Sequence, residues 1–513
     1  MSNWIIAPVV LPALLAPVIA AVARHDIVLA RTLSLAGTIF LTIIALGLTV
    51  VASQGGPYVY ELGNWNAPFG IVLVLDRLSA MMLLLTKVLA LIVQIYVIAT
   101  DWDKRGRHFH ALFQFQLMGL FGAFLTGDAF NLFVFFEILL IASYGLMIYG
   151  GGQMRLRAGL QYVVMNLAGS TLFLFALGTI YATTGTLNIA DLAVKIREIP
   201  VDDAALIRVA AMLLMIVFAI KAALFPLQFW MPGTYANAPA PVAALFAIMT
   251  KVGAYAILRF YTVVFGPEVA ATGSMPGDWL MPAALITVAI GAVGVLGAKR
   301  LLPLLSFAVL GSMGTLMLAV SVFTPQAISA ALYYLVHSTL AAAAMFLVAD
   351  LVISRRGAAR DHLREQSPNT PNGLLAALFF AGAIAVAGMP PLSGFIGKLL
   401  VLDAVRASES AALIWAAILL GSLLTIIGFA RAGSDLFWKT AEGAPSDNPD
   451  LEPDLTIPIP PLAVVGIMLA LTALAALTVF AGPVTAFFEV TAAQLVDPID
   501  YIQAVLPSYQ KGS

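Results

Sequence analysis

Apolar runs of about 20 residues follow one another with scarcely a pause along this chain. Crossing a bilayer takes about 20 mostly apolar residues, so the runs predict an all-α polytopic membrane protein. Of the 513 residues, 61% are hydrophobic and only 10% are charged, against about 25% charged in a soluble domain. A chain of this length could make several soluble domains, but the apolar runs argue otherwise.

Fourteen spans are expected, at roughly 4–23, 27–52, 71–100, 108–126, 129–150, 156–184, 204–230, 240–265, 279–298, 300–323, 325–354, 373–403, 410–431 and 459–481. The N-terminus, "MSNWIIAPVVLPALLAPVIAAVARHD", has no basic n-region and reads as the first span, not as a cleaved signal. Lys and Arg favour cytoplasmic loops. One set of alternate loops holds 15 of them and the other set 5, which places both termini outside the cytoplasm. Two stretches, 187–198 and the tail after Pro483, mix apolar and charged residues as an interfacial helix does. The acid- and proline-rich loop 433–457 is expected to be irregular.

Other classes fall away quickly. Cysteine is absent, which excludes disulfides, thiolate metal sites and iron–sulfur clusters within the chain. A net charge of −1 gives no footprint for nucleic acid. No carboxylate-rich cage of hard oxygen ligands stands out, so no metal site is expected.

A faint internal repeat is visible. "GLQYVVMNLAGSTLFL" (159–174) lies over "ALYYLVHSTLAAAAMFL" (331–347), with His337 opposite Met165. "FPLQFW" (225–230) lies over "PPLSGF" (390–395). Five spans separate the partners, so the two units would be inverted relative to each other, as in transporters with broken helices. The expected division is 1–105 for spans 1–3, 106–266 for a first repeat (spans 4–8), 278–432 for a second (spans 9–13), and 433–513 for the acidic loop, span 14 and a C-terminal interfacial segment.

Six basic residues remain inside the spans: Arg77, Lys87, Lys221, Lys251, Arg259 and Lys398, together with Asp76, Glu137 and His337. Charge at bilayer depth is costly, and such groups usually face a cavity or a partner. Glu137, Lys221, Lys251 and His337 each stand near the middle of a span, and Lys398 follows a break inside its own run. Arg259 is 6 residues from its helix end and is expected to snorkel to the interface. Adjacent Asp76 and Arg77 read as a structural or interfacial pair. Lys87 is deep and has no obvious partner.

A structural reading of the deep set would need matched signs, yet three lysines and a histidine face one glutamate. Low dielectric disfavours a charged amine, whereas a carboxylate nearby favours it. A deep lysine beside a carboxylate can therefore hold a proton and release it when the pairing is lost. Histidine ordinarily titrates in the useful range. Ser170, Thr171, Asn166, Thr250, Ser338 and Thr339 are candidates to hold bridging water, though hydroxyls also serve plain helix packing. Pro226 frees a backbone carbonyl one turn back, and such breaks are tolerated where they line a cavity or water. Pro390, Pro391 and Gly394 offer the same before Lys398.

These residues carry a resemblance. "IKAALFPLQFWMPGTYANAPAPVAALFAIMTKVGAYAILRF" (220–260), "FNLFVFFEILLIASYGLMI" (130–148) and "GMPPLSGFIGK" (388–398) resemble the antiporter-like subunits shared by respiratory complex I and the Mrp-type multisubunit Na+/H+ antiporters. Gln228 and Tyr235 stand where complex I relatives often have histidine, which favours the Mrp branch and its D-type subunits. The resemblance implies two inverted repeats of five helices, with helices 7 and 12 broken. It implies Glu137 and Lys221 as a coupled pair, Lys251 and His337 as a relay, and Lys398 as the terminal group. It implies other membrane subunits as partners, H+ and Na+ as the ions moved, no bound redox cofactor and a bacterial cell membrane. The sodium path is expected partly in another subunit. Two other readings stay open: an antiporter-like subunit of a redox-driven pump, and a scaffold whose charges only fix helix packing. Gene neighbours would separate the two pumping readings.

Overall fold

The computed structural model describes residues 2–357, 360–363, 373–438 and 458–508. The chain begins with α1 (Ala7–Ala21) and α2 (Ile27–Gln54), then a short hairpin of β1 (Tyr58–Glu61) and β2 (Val72–Leu75). The strands are antiparallel, with Tyr58 opposite Leu75. Next come α3 (Arg77–Ala99), α4 (Phe109–Leu125), α5 (Ala129–Met147), α6 (Gln153–Thr184) and the short α7 (Ile189–Arg197). The central run is α8 (Ala205–Ala222), α9 (Trp230–Asn237), α10 (Ala240–Phe246) and α11 (Met249–Val263). It continues through α12 (Met275–Gly297), α13 (Leu301–Val320), α14 (Pro325–Ile353), α15 (Gly373–Ala387) and α16 (Ser393–Ala404). The last helices are α17 (Ala411–Phe437), α18 (Pro461–Val479), α19 (Ala481–Val496) and α20 (Ile499–Val505).

Among the described residues, eleven helices are long and apolar enough to cross a membrane, with α10 and α11 taken together. Three shorter apolar helices, α1, α4 and α15, accompany them. The chain is a multi-pass helical membrane protein. Residues 439–457, most of the loop expected to be irregular, lie outside the described residues. Of the two stretches read as interfacial, 187–198 forms α7, which buries Ile189, Leu192, Ala193 and Ile196. The tail after Pro483 forms most of α19 and all of α20.

Helix starts follow ordinary capping. Asp26, Asp76, Asp128, Asn188 and Thr324 each accept a backbone N–H of the first turn that follows, which satisfies donors a helix cannot pair internally. Close helix contacts rest on missing side chains. A Cβ on Gly291 of α12 would lie 2.4 Å from the backbone nitrogen of Gly311 on α13, so small residues let these backbones meet. A Cβ on Gly253 of α11 would lie 2.4 Å from the nitrogen of Ala222. Glycine therefore presses α11 onto the end of α8, beside Lys221.

Burial is uneven. The span Ala240–Val263 is wholly enclosed by protein and α14 very largely so, whereas most of α17, α2 and α18 is not. The most enclosed helices are thus the ones that carry Lys251 and His337.

Two expectations fail at α3. Arg259 does not snorkel. It is 3% exposed and makes a bidentate pair with Asp76, at 2.6 Å and 2.9 Å. Asp76 and Arg77 are not a pair either: Arg77 donates to the Ser53 carbonyl and lies over the Phe487 ring. The partner that overrides snorkelling stands 183 residues away in sequence. At the other end of α3, the Tyr96 hydroxyl and the Trp102 indole both donate to Asp350 of α14. α3 is thereby fixed to the two enclosed helices at both ends.

Removing one member of a buried ion pair typically costs about 3–5 kcal/mol. Asp76→Ala is expected to lower unfolding stability by that order, and an unchanged unfolding midpoint in detergent would mean this pair does not tie α3 to α11. Overpacking costs about 1–3 kcal/mol. Gly253→Ala is expected to destabilise on that scale in the same assay, and wild-type stability would contradict the backbone contact described above.

Candidate functional site

Two of the helix ends within apolar sequence are followed by proline-containing segments. α8 stops at Ala222, Ala223 adopts a left-handed conformation (φ 56°), and regular helix resumes at Trp230. The intervening segment contains Pro226. The Ile220 carbonyl accepts from the Ala223 backbone N–H at 3.1 Å and from the Trp230 indole at 3.0 Å. That indole stacks on Tyr162, with ring centroids 5.3 Å apart. The Phe225 N–H donates to Thr287 on α12 at 2.9 Å. The second break runs from Ala387 to Ser393 and holds Pro390 and Pro391. Gly388 there has φ 76°, a conformation that suits glycine.

Lys221 lies on the last turn of α8 and is buried. Its Nζ donates to Asn166 Oδ1 at 3.0 Å. Glu137 on α5 is half-buried and accepts from the Ser170 hydroxyl. Ser170 also donates to the Asn166 carbonyl, 3.0 Å away. The lysine and the glutamate therefore bind two side chains on neighbouring turns of α6, and make no direct ion pair with each other. A small cavity of about 20 Å³ adjoins this point, lined by Asn166, Lys221, Trp230 and Met249 among others. That is room for about one water.

Lys251, two residues before Gly253, is fully buried, and its Nζ has no hydrogen-bond partner. Thr250 Oγ1 is likewise buried and unpartnered. Across the bundle, His337 Nδ1 is 2.9 Å from Ser393 Oγ, the first residue after the second break. Gly394 makes space for the ring, since a Cβ there would lie 2.8 Å from His337 Nε2. Lys398 donates to the Ala387 carbonyl and to Ser422 on α17, each at 2.8 Å. It thus covers the carbonyl exposed by the break it follows.

His337 and Ser338 line a cavity of about 20 Å³. Lys398 and Ser422 line another of about 30 Å³. The two share Ala308, Ser312, Tyr334 and Val386 in their walls, so the cavities of His337 and Lys398 are neighbours. Lys251 lines none of the three cavities. Tyr235 of α9 and Phe346 of α14, with ring centroids 6.3 Å apart, join the half containing Lys221 to the half containing His337.

The candidate water-holding residues divide. Asn166 and Ser170 bind the charged groups directly. Thr171 is exposed, and it and Thr339 bond their own helix four residues back. Ser338 donates to the Leu335 carbonyl at 3.2 Å while facing the cavity. Lys87 on α3 is fully buried, with its ammonium 3.9 Å from the centre of the Phe121 ring and no hydrogen-bond partner. Trp230 and Asp350 were not singled out by sequence reasoning. An indole following the proline break signals the first, and a carboxylate inside a span signals the second.

No group of three or more metal-ligating side chains occurs among the described residues. The family described as NADH:quinone oxidoreductase/Mrp antiporter, transmembrane, matches residues 126–425. A probable D subunit of a K+/H+ antiporter from Rhizobium meliloti is 39% identical, over all of both chains. The D subunit of the Na+/H+ antiporter of Bacillus subtilis is 37% identical over 99% of this chain and all of its own. A chain in the structure of the Mrp complex from Dietzia superposes with a TM-score of 0.87 at 28% identity, over 99% of this chain and all of that one. The chain belongs to the NADH:quinone oxidoreductase/Mrp antiporter family, with D subunits of cation/H+ antiporters as its full-length relatives.

Proposed function

We propose that this chain is the proton-translocating subunit of a multisubunit monovalent cation/H+ antiporter, and that protons pass along Glu137, Lys221, Lys251, His337 and Lys398. The observation that carries this reading is the pair of contacts on α6. Glu137 holds Ser170, and Lys221 holds Asn166, four residues away. An anionic Glu137 at that separation favours the charged ammonium without locking it into a direct salt bridge. A change at either contact alters how tightly Lys221 keeps its proton.

The hand-off to Lys251 is through α11, which Gly253 packs against the end of α8. An unpartnered buried amine needs water to receive a proton. Lys251 therefore gains its proton when water enters between it and Lys221, and the end of α8 at the break is the place for that opening. Beyond it, His337 and Lys398 line neighbouring cavities that share wall residues. Lys398 releases its proton as its ammonium leaves the Ala387 carbonyl and Ser422.

Fourteen crossings, two inverted five-helix repeats broken at Pro226 and at Pro390–Pro391, termini outside the cytoplasm and a bacterial cell membrane complete the proposal. The termini of α8 and α15 beside these prolines support the breaks. Na+ is proposed as the exchanged cation, and K+, named for the rhizobial relative, is the alternative. Full-length similarity to antiporter D subunits favours ion exchange over a redox-driven pump.

Removal of a positioned proton-transfer group typically costs about 10²–10⁴-fold. Lys221→Ala and Glu137→Ala should each reduce proton-coupled Na+ or K+ exchange in vesicles by about 100-fold or more, while the complex still assembles. Normal exchange in the assembled Lys221→Ala complex would remove that residue from the mechanism. Lys221→Arg should fail as well, because arginine does not release its proton. An active arginine variant would reduce Lys221 to a fixed charge. Running the exchange with Na+ and K+ separately identifies the cation.

A further inference from the structure

Another polar cavity is lined by none of the relay residues. It has a volume of about 250 Å³ and sits where the α1–α2 turn meets the loop before α4. Arg24, His25, Lys104, Arg107, His108 and His110 line it. These loops belong to the set richest in Lys and Arg, so the cavity is at the basic end of the bundle. Arg24 and Arg107 are exposed and have no acidic partner among the described residues. Lys104 is tied to Asp101 at 3.0 Å.

One carboxylate, Asp103, also lines the space, but it is already neutralised. Arg31 binds both of its oxygens at 2.7 Å, and His110 Nε2 lies 3.0 Å from one of them. Burial works to raise the Asp103 carboxyl, yet these partners outweigh it and hold it down at about 2. The neighbouring Asp26 is occupied in capping α2. What the cavity offers a ligand is therefore positive charge.

His110 supplies the independent sign of a missing partner. It is 2% exposed, its Nε2 faces Asp103, and its buried Nδ1 has no hydrogen-bond partner. With Nε2 turned to Asp103, Nδ1 is the ring atom left for a ligand or its bound water. A buried polar atom left open costs free energy.

The flank of the cavity identifies the ligand. Leu14, Val18 and Val22 are exposed on one face of α1, four residues apart, and Val28 is exposed on α2. An apolar ridge thus runs from the basic mouth along the outside of the bundle. That pairing suits a lipid with an acidic head and acyl chains, and a free anion would have no use for the ridge. Basic pockets between helices on this side of a membrane are suited to acidic headgroups. We propose that this cavity is a binding site for the phosphate headgroup of an acidic phospholipid, held by Arg24, Arg107 and His110 with its acyl chains along Leu14, Val18 and Val22. Bound there, the lipid ties the α1–α2 turn to the α3–α4 loop.

The test uses the full chain assembled with its partner subunits in vesicles that contain a photoactivatable phosphatidylglycerol or, separately, a matched phosphatidylcholine. Labelling of peptides covering residues 14–31 and 103–111 should be about fivefold or more stronger with the acidic probe, in line with about 1 kcal/mol for each basic residue near an acidic surface. Arg24→Gln with Arg107→Gln should remove that preference, and Arg24→Lys with Arg107→Lys should keep most of it. Equal labelling by both lipids in the wild type overturns the proposal without any variant. Acidic-lipid preference that survives the double glutamine change also overturns it. Displacement of the acidic probe by millimolar inorganic phosphate would assign the cavity to free phosphate and overturn the lipid assignment.

Discussion

Burying an amine in a low-dielectric bundle is tolerable only if something nearby favours its charge or if the proton can leave. The described structure meets this constraint in three different ways. Arg259, which cannot give up its proton, has a bidentate carboxylate, Asp76. Lys221 has a carboxylate at one remove, through Asn166 and Ser170 on α6. Lys251 has no partner. These three arrangements differ in partner more sharply than the residues differ in depth.

That ordering also explains which parts were legible in the sequence. Lys221, Lys251 and His337 stand in long apolar runs, where any ionisable residue is conspicuous, and Pro226 and Pro390 break those runs visibly. Helix positions followed from hydropathy, and the caps at Asp26, Asp128 and Thr324 are short-range signals. The role of Arg259 was not legible. Snorkelling is judged from distance to the nearest helix end, whereas its real partner, Asp76, is distant in sequence and next to a more obvious arginine. Asn166 was visible only as one of several polar residues on apolar helices. Nothing in its local sequence indicates that its amide, among those candidates, meets the lysine. Pairings of this kind depend on how α6 is rotated against α8, which helical periodicity within one apolar span does not fix.

The two helix breaks solve one problem with different chemistry. A break leaves carbonyls without their helical donors. At the first break two neutral donors, the Ala223 N–H and the Trp230 indole, meet the Ile220 carbonyl, and the indole stacks on Tyr162. Lys221 is thereby spared from capping and stays free to bind Asn166. At the second break Lys398 itself takes the Ala387 carbonyl. Its ammonium is favoured by a carbonyl and a hydroxyl, with no carboxylate joining it among the described ion pairs. Proton loss from Lys398 therefore weakens its hold on the freed carbonyl, whereas proton loss from Lys221 leaves the Ile220 cap intact. Lys221 thus reaches Glu137 only by way of Asn166 and Ser170, whereas Lys398 is bound to the backbone of its own break.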